Sequence, residues 1–220
     1  MLTASLVNQN IPRLQPGDSI GKAKQLINDF KLTHLPVVFE NRFLGLISEE
    51  DLLDIDDDKG TIDNIQEHVH LVFVADDVHF LNAIGFCNQY ETNIVPVLDK
   101  NAIFIGVISA SELLRVLGDF SGANEIGGII VLEVERIHFS LSEISRIVES
   151  NDCTILHLNT MTNEQSGLLQ ITLHLNRSEI AAVVATFQRF EYHVTHQFGL
   201  DSFDDNTDNH YRNLMHYLEI

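Results

Sequence analysis

Leu35-Pro-Val-Val-Phe-Glu-Asn-Arg-Phe-Leu-Gly-Leu-Ile-Ser-Glu-Glu-Asp-Leu-Leu53 returns as Val95-Pro-Val-Leu-Asp-Lys-Asn-Ala-Ile-Phe-Ile-Gly-Val-Ile-Ser-Ala-Ser-Glu-Leu-Leu114. Pro36 matches Pro96, Gly45 matches Gly106, Ser48 matches Ser109, and Asp51 matches Glu112. The offset grows from 60 to 61 between Glu40–Arg42 and Asp99–Ala102, where a hairpin turn absorbs one extra residue. A repeat of this length suits a duplicated small α/β unit better than a solenoid. Upstream of each copy lies a helical pattern. Ile20, Ala23, Ile27 and Phe30 follow the good N-cap residues Asp18-Ser19, and Phe80, Ala83, Ile84, Cys87 and Tyr90 repeat the spacing. Each unit therefore reads as helix, strand ending in Pro-Val, hairpin, Gly-(Leu/Val)-Ile-Ser strand, and a second helix beginning near Glu49 or Ala110. One such unit is too small to bury both faces of its strands, whereas two packed about a pseudo-twofold axis can.

These residues resemble the CBS-domain family, whose repeats come in pairs, over about residues 5–118. The resemblance implies a cleft between the repeats that holds an adenosine compound: AMP, ADP, ATP or S-adenosylmethionine. Carried over by position, Asp51 is the ribose ligand and Ser48 the hydroxyl beside a phosphate, roles that suit a carboxylate acceptor and a helix N-terminus. Thr33, His34, Leu35 and Pro36 would line the base pocket, and Asn10, Ile11 and Pro12, on the segment entering that repeat, would close it. In the second repeat Ser109 is retained but Glu112 replaces the Asp, so the first repeat is the expected site. The same Ser-x-x-acid pattern is also a plain helix cap. A cleft that holds no ligand and serves as a dimerising frame is therefore the alternative reading.

Ser121-Gly-Ala-Asn-Glu-Ile-Gly-Gly128 reads as a linker. Beyond it, Ile129–Glu135 and Thr154–Leu158 read as strands, and Ser140-Leu-Ser-Glu143 is a capping box opening a helix. Leu169, Ile171, Leu173 and Leu175 alternate with Gln170, Thr172 and His174, as in a strand with one apolar face. Ser178 is the expected cap of a second helix carrying Ile180, Val183, Val184, Phe187 and Phe190, and Tyr192–Phe198 closes as a fourth strand. The order βαββαβ is ferredoxin-like and resembles an ACT domain. With the CBS pair before it, the chain is similar to the acetoin-utilisation protein B-like group. ACT domains that bind amino acids place a Gly in the first strand-to-helix turn. Phe139 stands there instead, so a dimerisation unit pairing through its edge strands is expected.

The expected fold class is thus α/β (α+β): CBS repeats over 1–60 and 61–120, a linker over 121–127, an ACT-like domain over 128–200, and an acidic tail over 201–220. In the tail, Tyr211, Leu214, Met215 and Leu218 form a short amphipathic stripe expected to dock on its own chain or a dimer mate.

Composition narrows the function. At 220 residues and ~100–200 residues per domain, one or two domains are expected. The formal charge of −19, with only 13 Lys and Arg scattered along the chain, argues against nucleic acid and anionic membranes as partners. Met1-Leu-Thr-Ala-Ser-Leu6 has no basic stretch leading into an apolar run, no segment is apolar enough to span a bilayer, and Cys87 and Cys153 read as buried free thiols. A cytoplasmic protein is expected. The acidic run Asp54–Asp58 lacks the glycine and terminal glutamate of a calcium loop. His193 and His196, three apart on a strand, should face opposite ways, and His68 and His70 lie in a connection expected to be solvated, so no metal is expected. Neither a catalytic triad, a phosphate-binding loop nor a dinucleotide turn is present. The chain therefore reads as a non-catalytic, homodimeric regulator, or as a scaffold for a protein partner yet to be identified.

Overall fold

Serine side chains start four of the helices, Ser109 Oγ accepting the Glu112 amide at the head of α4 (Ala110–Ser121). Ser19 Oγ accepts the Lys22 amide at the head of α1 (Ile20–Phe30), and Ser48 Oγ accepts the Asp51 amide at the head of α2 (Glu49–Leu53). Ser140 does the same for Glu143 at α5 (Leu141–Glu149). The structure, a computed structural model, describes residues 1–199; the acidic tail and its apolar stripe lie outside the described residues.

The chain divides into two compact units, one spanning Met1–Leu117 and one beginning at Gly118. In the first, β1 (His34–Phe39) and β2 (Arg42–Ser48) form an antiparallel hairpin closed by Glu40 and Asn41, both at positive φ. The second copy supplies α3 (Phe80–Tyr90), β4 (Ile94–Leu98), β5 (Phe104–Ser109) and α4 (Ala110–Ser121). Its longer hairpin turn is held by the Asp99 carboxylate, which accepts the amides of Asn101 and Ile103, each at 2.8 Å. A short strand, β3 (Val74–Ala75), runs parallel to β4, and Leu14 bridges Val37 in the same sense in the first copy.

The copies share one core, with Ile20, Leu35, Ile47 and Leu52 packed in the same cluster as Phe80, Ile94, Ile108 and Leu113. They are also joined reciprocally. Asn93 Oδ1 accepts the Thr33 amide at 3.0 Å, while Thr33 Oγ1 accepts the Asn93 amide at 3.0 Å. The carbonyls of the same two residues each accept the first amide of the following helix, Glu49 to Thr33 and Ala110 to Asn93, both at 2.8 Å.

The segment expected to be a solvated connection is built into the fold. His70 pairs with Leu46 of β2 through two 2.8 Å hydrogen bonds, and Asn8, near the start of the chain, pairs with Val107 of β5. Each copy's last strand is thus completed by the arm that leads into the other copy. Gly45 and Gly106 mark the crossings. Both hold positive φ, +152° and +142°. A Cβ would lie 2.7 Å from the His70 carbonyl oxygen at Gly45 and 2.9 Å from that of Asn8 at Gly106.

The second unit has β6 (Gly128–Val134), α5, β7 (Ile155–Thr162), β8 (Leu169–Leu175), α6 (Ala181–Arg189) and β9 (His193–Phe198). The strand order β7-β8-β6-β9 is antiparallel throughout, the ferredoxin-like arrangement. Ile130, Leu132, Ile171 and Leu173 face the helices, where they meet Ile144, Ile147, Val183 and Phe187. Ser178 does not cap α6: the helix begins at Ala181 after Ile180, which is buried in the core and has no side-chain cap bond. The expected linker is also packed, since a Cβ on Gly127 would strike the Leu175 carbonyl and the His174 ring. Two glycine substitutions test the crossing. Gly106→Ala should cost about 3 kcal/mol in urea unfolding, because strain and a backbone clash add. Gly85→Ala, on exposed helix with nothing within 4 Å, should gain up to about 1 kcal/mol.

Candidate functional site

Both copies present a hydroxyl and a carboxylate three residues apart at the head of a helix, and the arms make the two pairs different. Ser48 Oγ donates to Asp51 Oδ2 at 2.6 Å and accepts the Asp51 amide at 3.0 Å. The other oxygen, Asp51 Oδ1, lies 3.2 Å from His68 Nδ1 on the crossing arm. Burial raises the Asp51 carboxyl, but the hydrogen bonds from Ser48 and His68, with the charges of His68 and His70, outweigh it and hold the group below its ordinary range. His34 Nδ1 is 3.0 Å from Thr33 Oγ1. Burial pushes this imidazole below its ordinary value; Asp51 opposes the shift and His70 adds to it. Glu49 and Glu50 share the first turn of α2 with Asp51, so this end carries three acidic residues in succession.

At the second copy, Glu112 donates its amide to Ser109 Oγ at 3.2 Å, and Ser109 and Ser111 hydroxyls lie 2.9 Å apart. The Arg115 guanidinium grips Glu112 through Nε at 3.0 Å and Nη2 at 2.7 Å, holding its carboxyl below the ordinary range. A hollow of about 700 Å³ opens here, lined by Ser109, Ser111, Glu112 and Arg115 on one side and by Ser5–Asn10 of the arm on the other. A neighbouring hollow of about 430 Å³ is lined by Asn8, Gln9, Ile11, Arg13, Asn41 and Ile103–Val107.

The expected residue set is therefore divided. Ser48 and Asp51 are hydrogen-bonded to each other and joined by His68, from the segment expected to be a solvated connection. Asn10, expected to close the pocket around Asp51, lines the hollow at Ser109 and Glu112, and Ile11 lines its neighbour, because the arm carrying them crosses to the other copy. Pro12 is half-buried in the same arm. Leu35 and Pro36 are buried; Leu35 belongs to the core rather than to an open pocket wall, while Thr33 and His34 are half-buried. The sequence offers Arg115 only as one of several scattered basic candidates, with Lys22, Lys24, Arg42 and Lys100, and gives no role at this site to the arm residues His68 and Arg13. The arms carry neither of the two regular periods that mark strands and helices, so the sequence gives no sign of what they border.

The second unit holds a separate hollow of about 370 Å³ beside its first strand-to-helix turn, lined by Glu133, Glu135, His138, Glu143, Tyr192 and His193 among others. Tyr192 donates to Glu143 at 2.8 Å, and burial together with that carboxylate pushes the phenol up to about 12. Phe139 packs against the core of the unit. His193 and His196 lie on one face rather than opposite ones. A bulge leaves Thr195 unpaired, so they oppose Glu133 and Val131, two residues apart on β6. Among the described residues, no group of three or more His, Cys, Asp or Glu is arranged to hold a metal ion, and no helix is long and apolar enough to cross a membrane.

Residues 4–58 match the CBS domain family. With its structural duplicate, this stretch makes the first unit a pair of CBS-type repeats. The chain is 28% identical over 123 residues to a homoserine O-acetyltransferase from Methanococcus vannielii, covering 53% of this chain and 25% of that protein. It is 30% identical over 98 residues to the magnesium transporter MgtE of Enterococcus faecalis, covering 44% and 21%. The chain thus spans about a quarter or less of these curated relatives. A CBS domain pair/ACT domain protein from Thermotoga maritima superposes with a TM-score of 0.49 at 21% identity, over 55% of this chain and 98% of the other.

The acid–base groups around Asp51 fix the sign of a pH effect. His34 and Asp51 both titrate lower folded than unfolded, so each contributes stability that is present at neutral pH and lost on acidification. For His34 the loss begins as pH falls below its unfolded value near 6.5. Urea unfolding should show stability falling from pH 7 toward pH 5, and His34→Gln should flatten that slope.

Proposed function

We propose that this protein is a non-catalytic, cytoplasmic regulator that senses an adenosine-containing ligand, AMP, ADP, ATP or S-adenosylmethionine, at its CBS pair. The observation that carries the reading is the 700 Å³ hollow where Ser109, Ser111, Glu112 and Arg115 meet the crossing arm. Its size falls in the range of small-molecule sites, about 300–1,000 Å³. Its chemistry divides naturally for a nucleotide. The Glu112 carboxylate accepts two ribose hydroxyls, while the serine hydroxyls and Arg115 hold a phosphate. Binding would exchange the Glu112–Arg115 pair for two ligand contacts, at small cost because an exposed ion pair contributes only about 0–1 kcal/mol.

Adenosine phosphates favour this end over the one around Asp51. There a phosphate would meet Glu49, Glu50 and Asp51 together, with both Asp51 oxygens already engaged. The acidic end suits a cationic adenosine compound, and S-adenosylmethionine is the member of the set that fits it.

A second reading, a ligand-free homodimeric scaffold for a protein partner, is favoured by one matched pair. Leu53 and Leu114, equivalent in the two copies, are 63% and 70% exposed beside the buried Leu52 and Leu113. We read the second unit as ACT-like and as a contributor to dimerisation. The acidic lining of its hollow disfavours a ligand carboxylate there.

Thermal unfolding with each of the four compounds tests the reading. A ligand at ~100 times its dissociation constant adds about 2.7 kcal/mol, raising the transition by roughly 5–10 °C. AMP, ADP or ATP should produce the shift in the parent protein and lose it in Glu112→Ala. A shift with S-adenosylmethionine should instead be lost in Asp51→Ala. Absence of any shift would remove the sensor reading in favour of the scaffold.

A further inference from the structure

In the second unit both helices lie on one face of the sheet. Ile130 and Leu132 point toward them, so the alternating residues Ile129, Val131 and Glu133 of β6 point to the other face. Register sets Phe198, His196 and His193 of β9 beside these three, and sets His174 of β8 between Ile129 and His157 of β7. The segment leading into β6 closes one end of this face. Phe120 meets the His157 ring edge-on at 5.8 Å, and a Cβ on Gly127 would lie 2.8 Å from His174 Nε2. The rest is open: Met161 and Phe198 are 57% and 54% exposed, and His193 and His196 are exposed beside them.

Chain connectivity and charge together name an occupant. β9 is an edge strand, and residues 200–220 follow directly from it. Residues 200–210 have roughly 35 Å of extended reach, enough to return across the sheet. Beyond them Tyr211, Leu214, Met215 and Leu218 recur at the helical period. At the helical rise of about 1.5 Å per residue that stripe is about 10 Å long, against about 14 Å from β7 to β9. The same segment carries Asp201, Asp204, Asp205, Asp208 and Glu219 against Arg212 alone. In a chain of formal charge −19, this face is an unusual place for such a run to settle. Among the described residues it presents four imidazoles and one carboxylate, Glu133. An imidazole donates a hydrogen bond to a carboxylate whether it is neutral or protonated.

We propose that residues 200–220 fold back over the open face of their own sheet. The stripe Tyr211–Leu218 lies across Val131 between Phe198 and Met161, and the acidic run Asp201–Asp208 meets the histidines of β9. The edges of the sheet at β7 and β9 stay available to another chain.

The protein has no tryptophan, so Leu214→Trp and, separately, Tyr211→Trp each place a single reporter on the stripe. In the full chain both indoles should emit at shortened wavelength and resist quenching by acrylamide. Adding Met161→Glu or His196→Glu, at exposed positions on the face, should return the emission to that of an indole in water. Indoles open to water at both positions would overturn the proposal. So would shielded indoles that ignore both face substitutions, because the segment then packs elsewhere. Shielding lost on dilution, in step with dissociation seen by analytical ultracentrifugation, would assign the segment to a second copy and overturn docking on its own chain.

Discussion

Everything in the first unit depends on backbone passing over backbone at two glycines. Where Val69-His70 crosses β2 and Val7-Asn8 crosses β5, the strand below has no room for a Cβ, and its φ is one that side chains rarely adopt. The crossings let each arm complete the other copy's hairpin, which brings His68 to Asp51 and the polar run Asn8–Asn10 to Ser109 and Glu112. The reciprocal Thr33–Asn93 bonds hold the hairpins in register between these crossings. The rings of Phe43 and Phe104 stack 5.7 Å apart, joining the two β-units again.

Duplication supplied two equivalent frames, and a few charges made them unequal. The heads of α2 and α4 are capped alike, Ser48 Oγ accepting the Asp51 amide and Ser109 Oγ accepting the Glu112 amide. One is followed by Glu49, Glu50 and Asp51, the other by Ala110, Ser111 and Glu112 with Arg115 one turn on. Three carboxylates lost (Glu49, Glu50 and Asp54) and one guanidinium gained change the local charge without altering the fold. An electrostatic difference of this kind is read at the helix heads, where the peptide dipoles already favour negative charge.

Much of the architecture was legible in the sequence because it rests on periodic or short-range signals. Pro36/Pro96 and Gly45/Gly106 fixed the repeat, Ser19, Ser48 and Ser140 marked helix starts, and the alternation at Leu169–Leu175 marked a strand. The candidate site was legible only in half. Ser48 with Asp51 and Ser109 with Glu112 are local pairs, three residues apart. Their other walls arrive from the arms, across sequence separations that no local pattern encodes. The same limit explains two smaller differences. One bulged residue, Thr195, brought His193 and His196 to one face, and the core's demand for Ile180 moved the start of α6 past Ser178. A periodicity of two fails wherever a strand takes up an extra residue.

The exchanged arms also decide what counts as a separable piece of this protein. By sequence the repeats divide near Gly60, and each half carries a full set of helices and strands. By hydrogen bonding neither half is whole: residues 1–60 would lack the strand partner at His70, and a fragment starting after Gly60 would lack Asn8. Truncating or tagging the first ten residues perturbs a hollow whose other wall, at Ser109 and Glu112, lies some hundred positions downstream. For dissection experiments the indivisible unit is therefore the pair, and a circular permutant that opens the chain inside a hairpin turn respects the fold better than a cut between the repeats.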